Sequence, residues 1–271
     1  MLIRCGYDIA FECNAETPLL LMLHVRPERQ ADLRTPQNFA VTPGVPFRHY
    51  HDGFGNFCTR LVALPGITRF TADFLIRDGG LPDPIPAGAP QTAVDDLPDA
   101  LIVFLLGSRY CETDKLSDLA WSLFGNIPPG WERVRAIAQY AHDRITFSYP
   151  NARPDRSAVE GHNERIGVCR DYTHLAVTLC RCMNIPARYC TGYLGDIGVP
   201  PDPSPMDFSA WFEVYLGGMW YTWDARHNAP RIGRILMGRG RDAADVAIST
   251  AFGSAKLAKF EVLTEEIRDV A

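Results

Sequence analysis

Cys169 stands in Gly167-Val168-Cys169-Arg170-Asp171-Tyr172-Thr173-His174-Leu175, where a polar stretch gives way to a helical pattern. Cysteine does nucleophilic chemistry as a thiolate. A helix N-terminus favours the thiolate, because unpaired N–H groups and the helix dipole stabilise negative charge there. Arg170 adds a neighbouring cation. The cysteines at 5, 13, 58, 111, 180, 182 and 190 lack that setting; Cys180 and Cys182 fall inside the helix and Cys190 inside a strand. Cysteine is also a common small buried residue, so the local pattern alone leaves both readings open.

Further along, Ser209-Ala210-Trp211-Phe212-Glu213-Val214-Tyr215-Leu216 and Met219-Trp220-Tyr221-Thr222-Trp223-Asp224 flank Gly217-Gly218, a two-residue hairpin signal. If Leu216 faces Met219, then Trp211 faces Asp224 and Ser209 faces Arg226. Alternation puts Ser209, Trp211 and Glu213 on one face with Thr222, Asp224 and Arg226. Position 209 is then diagonal to Asp224, roughly 7–8 Å between backbones and within side-chain reach. A histidine there would be oriented by the aspartate, as in a Cys-His-Asp triad, but the residue is serine.

The base must then come from elsewhere. On a continued strand His227 points to the wrong face. A strand ending at Asp224 or Ala225, as Asn228-Ala229-Pro230 indicates, lets the loop swing it towards Cys169. His162, in the loop before Cys169, is a second source, and a site without a histidine base is a third possibility. His174 lies about 140° round the helix from Cys169 and reads as a satisfied, packed histidine. Arg226 over the site stabilises a thiolate or binds a substrate carboxylate. Trp211, Tyr215, Trp220, Tyr221 and Trp223 either line a groove or, as aromatic strand residues more often do, pack in the core.

Taken together, four segments resemble the transglutaminase-like cysteine enzymes: Gly167-Val168-Cys169-Arg170-Asp171; Ile185-Pro186-Ala187-Arg188 with Gly192-Tyr193; Ala210-Trp211-x-Glu213-Val214-Tyr215; and Trp220 with Asp224. In that family the hairpin carries His-Ala-Trp; this chain has Ser209-Ala210-Trp211. The stretch from Asp224-Ala225-Arg226-His227-Asn228 to Arg239-Gly240-Arg241-Asp242-Ala243 resembles a bacterial subgroup in which serine is expected there. The β-rich N-terminal part resembles an accessory domain of bacterial members. The resemblance implies an α+β chain: a β-sandwich over residues 1–80, a linker over 81–98, and a papain-like domain over 99–271 whose cysteine helix packs on the hairpin sheet. It implies amide chemistry on a peptide or protein through a thioester, with hydrolysis (a peptidase or amidase) a simpler expectation than cross-linking.

The residues this reading puts to work are Cys169, Asp224 and His227 in catalysis, with Trp211, Ser209 and Arg226 contacting substrate. No metal or organic cofactor is implied. The alternative, prompted by Ser209, is a catalytically impaired fold that binds peptides or a partner enzyme. The presence of both Cys169 and Asp224 favours an enzyme.

The 271 residues suit two domains or one large one. Hydrophobic residues at 46% and charged residues at 22% allow a packed core, and a net charge of −5 is wrong for a nucleic-acid binder. Eight cysteines without a Cys-x-x-Cys pair suit buried reduced thiols rather than a disulfide scaffold or zinc ribbon. Met1–Cys13 has no leader pattern and Leu19–Val25 is too short to span a bilayer, so a soluble cytoplasmic protein without a membrane partner is expected. His49-x-His51 lacks a third metal ligand nearby and reads as exposed strand. Arg231, Arg234, Arg239 and Arg241 read as a solvated surface laced with salt bridges.

Residues 1–77 divide into strand-like runs: Leu2–Cys13, Pro18–Val25, Phe57–Ala63 and Thr68–Ile76. From Leu97 the period becomes helical, with helices over Pro98–Gly107, Lys115–Phe124, Trp131–Ile145 and Cys169–Met183. Gly161–Gly167 and Gly198–Pro205 read as loops. Arg188–Leu194, Phe208–Leu216 and Met219–Asp224 read as strands.

Overall fold

The computed structural model describes residues 1–203 and 205–267. The first strands are β1 (Leu2–Cys13), β2 (Thr17–Leu21), β3 (Ala40–Thr42), β4 (Phe47–His51), β5 (Phe57–Ala63) and β6 (Gly66–Arg77). Then come α1 (Asp99–Ile102), α2 (Thr113–Phe124), α3 (Trp131–Arg144), β7 (Thr146–Phe147), α4 (Ala158–Glu164), β8 (Ile166–Gly167) and α5 (Cys169–Cys182). The chain finishes with β9 (Ala187–Tyr193), β10 (Ser209–Leu216), β11 (Met219–Trp223), β12 (Ile235–Gly240), β13 (Ser249–Ala251) and β14 (Ala255–Ile267).

Two antiparallel sheets, ordered β14-β1-β6-β3 and β13-β2-β5-β4, make the β-sandwich. Alternation along β1 and β6 sends Ile3, Ile9, Phe70, Phe74 and Ile76 inward against Leu19 and Leu21. The sandwich is not built from the N-terminal residues alone. β14 pairs with β1 from Leu2↔Ile267 to Cys13↔Ala255, and β13 pairs with β2. A linear split that leaves residues 99–271 in one domain therefore misassigns the last two strands. They complete the first unit because β1 and β2 each need a second neighbour to pair their backbone groups.

The second unit is a sheet ordered β11-β10-β9-β12 with α5 laid across it, giving the α+β arrangement. Leu175, Ala176 and Leu179 of α5 join Phe212, Val214 and Leu216 of β10 in one core, and α2, α3 and α4 pack round the helix. Tyr193, Phe208, Ile235 and Met237 lie in the sandwich core, so the two units share apolar packing.

Some local expectations change. Pro98–Gly107 yields only one helical turn, Asp99–Ile102. The polar stretch before Cys169 is not all loop: α4 starts on a capping box in which Ser157 and Glu160 satisfy each other's backbone N–H groups. The linker is tied down, with Asp83 N donating to Arg231 O, Trp131 N to Ala89 O and Gly217 N to Pro90 O.

Candidate active site

Cys169 is the first residue of α5. The turn before it is set by Asp171, whose Oδ2 accepts from Val168 N at 2.8 Å and from Arg156 Nη1 at 3.1 Å. A Cβ on Gly167 would fall 2.5 Å from that oxygen, so only glycine lets the carboxylate fold back. The thiol does not have the electropositive setting expected for it. Arg170 turns away to donate to Arg153 O at 2.9 Å and to cover the Tyr110 ring at 4.3 Å. Burial, reinforced by the charge of Asp207, pushes the Cys169 thiol up to about 12, against Arg226 and the Ala210 N–H, which favour the thiolate. Part of the residue remains accessible, and the rest packs on the cluster of Tyr189 and Ala210.

The hairpin has the register the Gly217-Gly218 turn dictates, from Leu216↔Met219 to Phe212↔Trp223. It stops there. The anticipated Trp211–Asp224 and Ser209–Arg226 pairs do not form, because the chain turns at Asp224 and Asn228 N donates to Asp224 O at 2.8 Å. Within that turn His227 N donates to Asp224 Oδ1 at 2.9 Å and His227 Nδ1 lies 2.8 Å from Oδ2. Arg234 Nη2 also donates to Oδ2 at 2.9 Å. Burial alone would raise this carboxyl, but Arg234 and the His227 contacts outweigh it and hold Asp224 well below the usual carboxylate range. An ionised carboxylate only accepts, so Nδ1 carries the proton and Nε2 is the basic nitrogen of the neutral ring.

Two further groups hold this turn. His142 Nδ1, on α3, donates to the carbonyls of Ala225 and Arg226 at 3.2 and 2.9 Å. Arg234 also binds Asp83 of the linker, at 2.9 Å. Neither is visible in local sequence, since each depends on partners distant in the chain.

Ser209, Arg226 and His227 line one cavity together with Tyr149 and Asp207. Cys169 is not one of the residues lining it, but its thiol is near enough for the charges of Asp207, Arg226 and Asp224 to act on it. Asp207 and Tyr149 were not anticipated from sequence. Asp207 keeps an exposed face, yet its carboxyl is surrounded closely enough that desolvation pushes it up to about 6. Arg226 lies over the Phe147 ring at 3.8 Å and 3.8 Å from Asp202.

Trp211 is not in that cavity. It is buried beside Arg234, with the guanidinium carbon 4.9 Å from its ring, on the face of β10 away from α5. Strand alternation puts it with Glu213, which Arg188 and Arg239 clasp, while Ala210 and Phe212 face the helix. Arg231 and Arg234 are likewise buried rather than solvated. His162 is on α4 with Nε2 on the Tyr140 hydroxyl at 2.8 Å. His174 is fully buried; its Nε2 accepts from Ala243 N at 3.2 Å and its Nδ1 has no partner among the described residues, so it is packed but only half satisfied. His49 Nδ1 meets Thr59 Oγ1 at 3.0 Å.

The family model described as the transglutaminase-like superfamily matches residues 118–225, a span that holds Cys169 and Asp224 and ends before His227. A solved structure from Cytophaga hutchinsonii, described as a candidate cysteine protease, is 31% identical and covers 98% of this chain and 90% of that one, with a TM-score of 0.84. An uncharacterised Mycobacterium leprae protein is 30% identical over 118 residues; the match takes in 42% of this chain and 42% of the length of that relative. With nearly the whole chain aligned at that identity and the core model lying over the cysteine helix and the hairpin, the chain belongs to the transglutaminase-like superfamily.

Proposed function

We propose that the protein is a thiol enzyme acting on amide bonds of peptides or proteins through an acyl-thioester, with water as the usual acceptor. The observation that carries this reading is the Asp224–His227 pair, with its basic Nε2, on a cavity whose Asp207 and Arg226 charges act on the Cys169 thiol. His227 takes the place of the histidine missing at position 209.

The raised thiol sets the order of events. A proton held this tightly leaves when substrate is in place, not in a resting thiolate–imidazolium pair. His227 Nε2 takes the Cys169 proton as the sulfur attacks the amide carbonyl. The Cys169 N–H, which as a first-turn donor of α5 has no acceptor within the helix, donates to the oxyanion. The imidazolium, stabilised by Asp224, protonates the departing nitrogen as the C–N bond breaks, leaving an acyl-thioester and an amine or ammonia. Water, deprotonated by the same Nε2, attacks the thioester, and the proton returns to the sulfur.

The test is release of amine or ammonia from peptide amides. Cys169→Ala should abolish it, and His227→Ala should lower it about 10²–10⁴-fold, the usual worth of a general base. Loss with Cys169→Ala but not with His227→Ala would place the base elsewhere. Incorporation of an added amine in preference to water would make the protein a cross-linker. The raised thiol favours one rival, a fold that only binds peptide. Cys169 that resists iodoacetamide across the alkaline range, read by peptide mass spectrometry, would establish that rival instead.

A further inference from the structure

Two groups in the cavity have no part in the chemistry above. Ser209 is 7% exposed, and its Oγ has no hydrogen-bond partner among the described residues. A buried polar group left bare costs about 1–3 kcal/mol. Asp207, just before it in the chain, lines the same cavity, is open to solvent on one side, and has no ion-pair partner among the described residues.

The other charges there are engaged. Asp202 faces Arg226 at 3.8 Å, and Asp196 accepts from Asp202 N at 2.7 Å and lies 4.0 Å from Arg231. Arg231 also donates to Gly195 O at 2.9 Å. His227 is held by Asp224, and burial keeps the Tyr149 hydroxyl protonated. What remains is a carboxylate without an ion pair among the described residues, favoured only by the Phe208 N–H and the charge of Arg226, on the same cavity as a hydroxyl oxygen without a partner among them. That pairing suits a group with several N–H donors and a positive charge.

We propose that Asp207 and Ser209 form a subsite for a primary ammonium group of the substrate, and that filling it activates Cys169. The proposal rests on Cys169 being the nucleophile. An ammonium there donates one N–H to the Asp207 carboxylate and another to Ser209 Oγ. It also changes the field at the sulfur. Among the charges acting on Cys169, that of Asp207 opposes the thiolate most strongly. A bound cation cancels it and leaves Arg226 and the Ala210 N–H to favour ionisation. The nucleophile is thereby quiet in the empty site and released by substrates bearing an ammonium, whether a peptide N-terminus or a lysine side chain.

The experiment is the rate of Cys169 alkylation by iodoacetamide at about pH 8 on the full chain, with occupancy read by mass spectrometry. Three probes are titrated: glycylglycinamide for an α-ammonium, N-acetyl-lysinamide for an ε-ammonium, and tetramethylammonium for a charge without N–H donors. One pKa unit changes the thiolate fraction tenfold, and the lower nucleophilicity of a more acidic thiol returns part of that, so a saturable rise of about 3-fold is expected. Whichever amine saturates at lower concentration identifies the source.

Asp207→Asn should show the raised rate without amine and lose the response. Ser209→Ala should keep the response with weaker saturation. Asp207→Glu, which keeps the charge, should keep it too, and serves if the asparagine variant does not fold. A flat rate, an equal response to tetramethylammonium, or a response surviving in Asp207→Asn would overturn the subsite. In those cases a Cys169 that still alkylates leaves the thiol-enzyme reading standing, whereas a Cys169 inert under all conditions removes both.

Discussion

Asp207 and Asp224 flank the β10–β11 hairpin, one before its first strand and the other after its second, and their surroundings treat the same side chain in opposite ways. Asp224 is buried, and both its oxygens are used: Oδ1 by His227 N, Oδ2 by His227 Nδ1 and Arg234. It is held ionised. Asp207 stands at the rim without an ion pair among the described residues and is pushed up to about 6. Asp171 shows what decides between these outcomes. It is buried like Asp224 and has Arg156, yet its Oδ1 has no partner among the described residues, and burial raises it. Burial costs a carboxylate charge unless enough donors converge on both oxygens. The fully satisfied aspartate can orient a base; the unsatisfied one can receive a ligand.

The sharpest way to break this contrast is Asp224→Ala. It takes from Arg234 the more buried of its two carboxylate partners, leaving Asp83, and frees His227, so a loss of about 3 kcal/mol in urea unfolding is expected, the lower end of the usual cost of breaking a buried pair. The pH dependence has a definite sign. A lowered folded-state pKa contributes stability that is complete above the unfolded value of about 3.9 and is lost as pH falls through the folded value. The gap between wild type and variant should therefore be constant near neutrality and shrink in strong acid. A gap that widens on acidification would contradict the assignment.

Next in size is Gly167→Ala. The added methyl meets the Asp171 carboxyl, and overpacking of this kind costs about 1–3 kcal/mol. Because the displaced group caps α5, Cys169 alkylation should change along with the melting temperature. A variant as stable as wild type would show that the cap is dispensable. His142→Ala removes two hydrogen bonds to the turn bearing His227 and should cost about 1 kcal/mol. Its larger effect should be on turnover of peptide amides, with the melting point nearly kept. Equal loss of both would make His142 a packing residue only.

Asp207→Asn should be the mildest in stability. A raised folded-state pKa means that stability is complete below about 3.9 and is lost as pH rises through about 6. The asparagine variant should thus equal or slightly exceed wild type above that value and lose the advantage in acid. Solvent at the rim keeps the difference small. A variant clearly less stable at neutral pH would mean that Asp207 holds the structure together.

Much of the frame was legible. Gly217 and Gly218 both take positive φ, which fixes the hairpin register. Asn228, also at positive φ, marks the turn that ends the second strand. Apolar spacing located α2, α3 and α5 to within a few residues. The electrostatics of the site were much harder to read. A helix start was legible, but the burial that raises the thiol was not. Asp207, His142 and the Asp83–Arg234 bond act through neighbours distant in sequence. The strand Ala255–Ile267, rich in charge at a sheet edge, has no apolar run to announce it.

That last strand has a consequence for how the chain comes to life. Because β1 is flanked by β6 on one side and β14 on the other, the ribosome makes one of the strand's neighbours soon after it and the other only after the cysteine helix and hairpin. The cysteine helix and hairpin emerge in between, as an insert in an unfinished sandwich. A nascent chain stopped before Ala255 carries an open, twelve-residue edge, the kind of surface that recruits foreign strands. β14 can pair with that edge only once Ala255–Ile267 has been made, after the cysteine helix and the hairpin are already complete.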